Sequence, residues 1–218
     1  MEEKLTSAKL YRKIHKPFLE MGFLEFVSAG FHLYTKVVAE GWYLTVLPNI
    51  DRFYDDQFTM QMFLCKETLL GDYYNHTVAL CNLRPHHFLE ELSYDYWWSG
   101  LQQKSFDDFL DKFSNIVEQR IYDKINELSE IVNASEWIKQ IVTINNGVYS
   151  EYLRTFGSPS DIFENIDIKK PIKTPKLWIE ATEKYYEQNG PFKLFSGLAA
   201  DMAFREWMAR EYASRMKK

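Results

Sequence analysis

The apolar positions of this chain change period twice. Near the amino terminus, Leu5, Ala8, Leu10, Ile14, Phe18, Leu19 and Met21 recur at helical spacing with basic residues between them. Pro17 lies inside that run and is expected to kink or end the helix, and Gly22 offers a C-cap. From Phe23 to about Leu83 the period becomes two. Strands are predicted over Phe31–Val38, Trp42–Leu47 with Pro48-Asn49 as its stop, Phe58–Leu64, and Thr77–Leu83. Glu40-Gly41 is expected to turn the chain between the first two. In the third, Phe58, Met60, Met62 and Leu64 form an apolar row for a core, and Thr59, Gln61 and Phe63 a mostly polar row for solvent. Short connections favour antiparallel pairing, since parallel strands need a long crossover.

The helical period then returns. Pro85 can open a short helix through Leu92. Ser105-Phe106-Asp107-Asp108 matches a serine N-cap with acids in the first turn. Phe106, Phe109, Leu110, Phe113, Ile116, Val117, Ile121, Ile125 and Leu128 continue as one stripe, predicting a helix on the order of 38 Å long. A further short helix is expected around Trp137, Ile138, Ile141 and Val142. Gly157-Ser158-Pro159-Ser160 reads as a loop, and Ile166–Pro175 as a linker. A helix starting at Thr174 or Pro175 and a last one carrying Phe204, Trp207, Met208, Tyr212 and Met216 follow.

These patterns predict an α+β fold. An antiparallel sheet of about four or five strands is covered by the amino-terminal and long central helices, with a helical carboxy-terminal extension. The expected division is a core domain over residues 1–166 and an extension over 167–218, packing on the core or on a partner. Composition agrees: aromatic residues make up 17% of the 218, and large rings bury much area each.

Between the strand region and the long helix lies Tyr94-Asp95-Tyr96-Trp97-Trp98, with four large aromatics and one acid in five positions. Adjacent tryptophans cannot both face one core in a regular strand. One is expected to lock the joint between sheet and helix. The other is expected to cover a second surface, cap a helix or line a groove. Tyrosine and tryptophan dominate binding hot spots, whereas packing of the first helical turn against the sheet edge explains the same rings without any ligand. With His86 and His87 just before it, this segment is the candidate ligand- or partner-binding site.

The familiar catalytic and nucleotide-binding motifs are absent, including GxxxxGK[ST], GxGxxG, GxSxG, HExxH and CxxC. His76, Cys81, His86 and His87 come nearest to a zinc set, but the tetrahedral spacing is missing. The expectation is therefore no metal and no cofactor, with the two histidines bonded to neighbouring backbone. Asp51, Asp55 and Asp56 fall in one loop, where aspartate more often builds the turn than binds a cation.

Charge is unevenly spread. Residues 1–103 carry 9 basic and 13 acidic side chains, residues 104–166 carry 6 and 11, and residues 167–218 carry 11 and 7. A net acidic body argues against nucleic-acid binding, and the lysines at 169, 170, 173 and 176 read as a solvated linker. Met1–Thr6 lacks the features of a signal peptide, and no stretch reaches the roughly 18 apolar residues of a membrane helix. Cys65 and Cys81 then read as packed thiols, and the cytoplasm is the expected location.

One resemblance bears on the fold. Lys16-Pro17-Phe18-Leu19-Glu20-Met21-Gly22-Phe23, the strands after it, Gln57-Phe58-Thr59-Met60, and Trp97-Trp98 before a long helix resemble an uncharacterised bacterial family, one of the catalogued domains of unknown function. The resemblance covers about half the chain. It implies a helix ending in Gly-Phe, an antiparallel sheet and a double-tryptophan element, and no activity. The leading functional expectation is a non-catalytic bacterial interaction or immunity-like module with a possible protein partner. The alternative is a small-molecule-binding protein or enzyme with a pocket near Tyr94–Trp98.

Overall fold

The computed structural model describes residues 5–28, 30–51, 53, 56–66, 83–133, 147–158 and 160–189, then residues 200, 204–205, 207–208, 211–212 and 214–216. Helix α1 (Ser7–Glu20) is capped by Thr6, whose hydroxyl accepts the Lys9 amide. It buries Leu10, Ile14 and Phe18. Contrary to expectation, it runs on past Pro17. Pro17 cannot make the bond that an N–H there would give to the Lys13 carbonyl, and the helix ends three residues later at Glu20. The helix stops where Gly22 takes φ +85°. The Gly22 amide donates to the Leu19 carbonyl and the Phe23 amide to that of Phe18, the paired bonds of a Schellman ending.

Five antiparallel strands follow in the order β1 (Leu24–Ser28), β2 (Phe31–Ala39), β3 (Trp42–Ile50), β4 (Gln57–Lys66) and β5 (Trp98–Ser99). Glu40-Gly41 turns the chain as expected, Gly41 supplying φ +71°. Strand β3 does not stop at Pro48-Asn49. It continues to Ile50, with Pro48 opposite Met60. The Asp51 amide bonds to Gln57 on β4. By alternation the Pro48 nitrogen faces the β2 side, where the ladder has already ended at Val46. No hydrogen bond is lost there.

The apolar row of β4 is buried as the alternation predicts. Of the opposite row, Gln61 and Phe63 are half-buried, but Thr59 is fully buried. Its hydroxyl donates to the Tyr96 carbonyl at 3.0 Å, because the segment before β5 lies over that end of the sheet. Two single bridges extend the sheet: Leu83 pairs with Met62 beside β4, and Ile172 pairs with Phe26 beside β1. The remainder of the strand expected over Thr77–Leu83 lies outside the described residues.

The helix expected from Pro85 to Leu92 is only a 3-10 turn, Pro85–His87. Burial of Phe88, Leu89 and Leu92 decides the path beyond it. The long central helix is present as α2 (Gln103–Asn115), a π-helical turn (Ile116–Arg120) and α3 (Ile121–Asn133). Its stripe is buried from Phe106 to Leu128, with Leu110 half-buried. Ser105 is not the N-cap. Gln102 holds that position, and the Ser105 hydroxyl ties the first turn to the Ser99 carbonyl at 2.7 Å.

Helices α1 and α2 meet over the sheet. Phe18 stacks on Phe113 with ring centroids 4.8 Å apart, and Phe109 packs edge-on to both Phe58 and Trp98. Further along, residues 147–156 (α4), Ser160–Glu164 (α5) and Lys176–Asn189 (α6) are helical. Trp178 lies 4.8 Å from Tyr152 and 5.4 Å from both Phe204 and Trp207. The helix expected around Trp137–Val142 lies outside the described residues. The fold class is α+β.

Candidate functional site

Asp95 is the only non-glycine residue at positive φ, +53°, among the described residues. That conformation disfavours L-side chains other than Asn and Asp, so contacts must hold it. The Asp95 amide donates to Nδ1 of His86 at 3.1 Å. Its carboxylate accepts from Nε1 of Trp97 at 3.1 Å and lies 3.7 Å from Nε of Arg84. The Arg84 guanidinium in turn stands 5.6 Å from the Trp97 ring, within cation–π range.

The bend at Asp95 separates the aromatics. Trp98 is 2% exposed, packed on Phe58 and Phe109, with its Nε1 donating to Asp108 at 3.2 Å. Tyr96 packs edge-on against it. Trp97 faces the other way and is half-buried beside Arg84. Tyr94, at the tip, is 88% exposed. Of the seven candidates, His86, His87, Tyr94, Asp95 and Trp97 therefore cluster at the surface. Tyr96 and Trp98 belong to the joint beneath.

The two histidines bond to backbone as expected. His86 holds the Asp95 amide, and Nδ1 of His87 accepts the Arg84 amide at 2.9 Å. Their rings lie 4.0 Å apart, and the His86 ring is 5.0 Å from Tyr94. Burial pushes the His86 pKa below the ordinary imidazole value, with His87 and Arg84 adding to the shift and Asp95 opposing it. A neutral ring suits its role as acceptor.

Beside this knuckle lies a polar cleft of about 340 Å³ between residues 87–91 and the end of the π-helical turn. His87, Glu90, Glu91, Arg120, Asp123 and Lys124 contribute to its walls. Lys124 pairs with Glu127 at 2.5 Å. Of the candidates only His87 reaches this cleft, so the predicted site residues do not converge in a pocket.

Sequence reasoning missed a second cluster. The Glu25 side chain, on β1, is 3% exposed. Its Oε1 accepts the Tyr34 hydroxyl at 2.9 Å and lies 2.5 Å from Nδ1 of His32. Nδ1 of His15, from α1, is 2.9 Å from Oε2, yet Oε2 has no bond of hydrogen-bonding geometry. Tyr11 stacks on His32 at 4.2 Å. Burial, and then the Glu25 charge, drives the Tyr34 pKa far upward, so its hydroxyl stays a donor. Alternation offers no signal for it: an acid between Leu24 and Phe26 reads as solvent-facing, whereas Glu25 turns to the face that α1 covers. Both rings turn Nδ1 to one carboxylate, so their Nε2 atoms point away from it. Among the described residues no group of three or more His, Cys, Asp or Glu side chains is arranged to hold a metal ion.

The remaining candidates do structural work. Asp51 accepts the Phe53 amide at 2.6 Å, which is turn chemistry. Asp55, His76 and Cys81 lie outside the described residues. Lys170 pairs with Asp167, and Lys176 with Glu180. No helix among the described residues is long and apolar enough to cross a membrane. Comparison of the chain with protein-family models, with curated proteins and with solved structures gave no match.

Proposed function

We propose that this protein is a non-catalytic interaction module, cytoplasmic and bacterial, that presents Tyr94 to a protein partner. One observation carries the reading: a tyrosine ring 88% exposed beside Asp95, whose bend is held by His86, Trp97 and Arg84. Tyrosine, tryptophan and arginine are the residue types that dominate interface energetics, and here Tyr94, Trp97 and Arg84 stand together. A pre-set bend also lowers the ordering cost on binding. Quantitative pull-down with the full chain tests this. Tyr94→Ala is expected to weaken capture of a specific partner by tenfold or more while leaving the fold intact. A partner set unchanged by Tyr94→Ala combined with Arg84→Ala would sink the proposal.

Glu25 favours a second reading, a small-molecule-binding protein or enzyme. A buried carboxylate that orients imidazoles by Nδ1 leaves Nε2 available for proton transfer. His32→Gln abolishing a turnover that Tyr94→Ala leaves untouched would select this reading over the first.

A further inference from the structure

We infer that the Tyr94 knuckle and the adjoining cleft form one docking surface whose occupant is a basic, extended segment of a partner protein. The inference rests on the interaction reading and adds the chemistry of the partner. The surface is continuous: Tyr94 contacts His86, His86 contacts His87, and His87 lines the cleft. An occupant seated on the tyrosine is led directly to the carboxylates.

Charge selects the occupant. The Lys124 ammonium is neutralised by Glu127. Among the described residues, Glu90, Glu91 and Asp123 have no ion-pair partner, and Arg120 is the other cation that lines the cleft. Arg120 does not close an ion pair with any of them. Three carboxylates against one unpaired guanidinium leave the cleft net negative, and such a lining attracts cations. The knuckle complements this. An exposed tyrosine face beside a neutral His86 suits an arginine guanidinium, which stacks on aromatic rings and is weakly hydrated. Arg120, the last residue of the π-helical turn Ile116–Arg120, lines the cleft, and such turns frequently mark functional sites.

Fluorescence anisotropy with the full chain tests the inference, using two labelled probes: a short peptide alternating arginine with glycine, and its glutamate counterpart. The arginine probe is expected to bind and the glutamate probe not. Tyr94→Ala and the double variant Glu90→Gln, Glu91→Gln are each expected to weaken the arginine probe by about fivefold to tenfold. Arg120→Gln is expected to tighten it. A control removes the same charge from α6, as Glu183→Gln with Glu187→Gln, and is expected to change little. Equal loss in that control would show unspecific attraction to an acidic protein and overturn the inference. So would binding of the glutamate probe, or failure of the arginine probe at low salt. If Tyr94→Ala still abolishes capture of the cellular partner in those cases, the interaction reading survives and only the basic occupant is lost. If Tyr94→Ala affects neither probe nor partner, both are lost.

Discussion

Asp95 carries more of the site than its size implies. Its φ of +53° sends Trp98 inward and Tyr94 outward, and its carboxylate bonds to Trp97. Asn tolerates this backbone and can accept the same bond. Asp95→Asn should therefore stay near wild type, whereas Asp95→Ala should cost about 1–2 kcal/mol in denaturant midpoints. His86 brings a pH dependence. Its native pKa is depressed, so the unfolded chain takes up a proton first as pH falls. The stability it contributes is complete above roughly pH 6.5 and is lost as pH falls below that towards the native value. The same proton occupies the lone pair that holds the Asp95 amide. Urea midpoints across that window should fall in the wild type and level off in His86→Asn. At Glu25, Gln retains an acceptor for Tyr34 but Leu does not. Glu25→Leu should cost about 1–3 kcal/mol more than Glu25→Gln for the stranded hydroxyl.

Elements follow the sequence where local pattern alone decides. The alternation Phe58-Met60-Met62-Leu64 and the Gly22 ending need only the period and one glycine, and both are present. Pro48 is misleading in sequence because the effect of proline depends on what its nitrogen would have faced. For Pro48 that is a ladder already finished. The π-helical turn was invisible, since the apolar stripe around it keeps a helical period either way. The Glu25 cluster draws on α1, β1 and β2, and no window of sequence holds all its members. The knuckle was legible as an aromatic cluster, but the cleft beside it was not, because its walls lie some thirty residues apart in sequence. One close approach between elements invites a test. A Cβ on Gly147 would overlap the Tyr185 ring on α6. Gly147→Ala should destabilise by about 1–3 kcal/mol in thermal or denaturant unfolding, and Tyr185→Ala should relieve part of that loss in a double-mutant cycle.

The whole molecule joins distant parts of the chain through one buried hydrophobic cluster, running from Leu10 and Phe18 on α1 to Phe204 and Met208. Its charges are segregated as well as its apolar surface. Glu151, almost fully buried, is held by Arg154, with Thr155 beside it and Lys184 reaching across from α6. Hydrogen bonding from Arg154 holds the Glu151 carboxyl below the usual range, so this clamp weakens as acid protonates it. The sheet has its own long-range dependency. The Val27 amide and the Glu25 carbonyl, both on the outer side of β1, are paired by Ile172. A chain ended at residue 166 should keep the sheet but present that edge unpaired. Light scattering is expected to show faster aggregation than for the full chain.

The Ile172 bridge also sets a timetable for biosynthesis. Strand β4 ends at Lys66, so four strands leave the ribosome long before the residue that closes the outermost one. At ~5–20 residues per second the delay is roughly 5–20 s. Throughout it the outer side of β1 lacks the residue that pairs with it, the kind of open edge that templates pairing with a neighbouring chain.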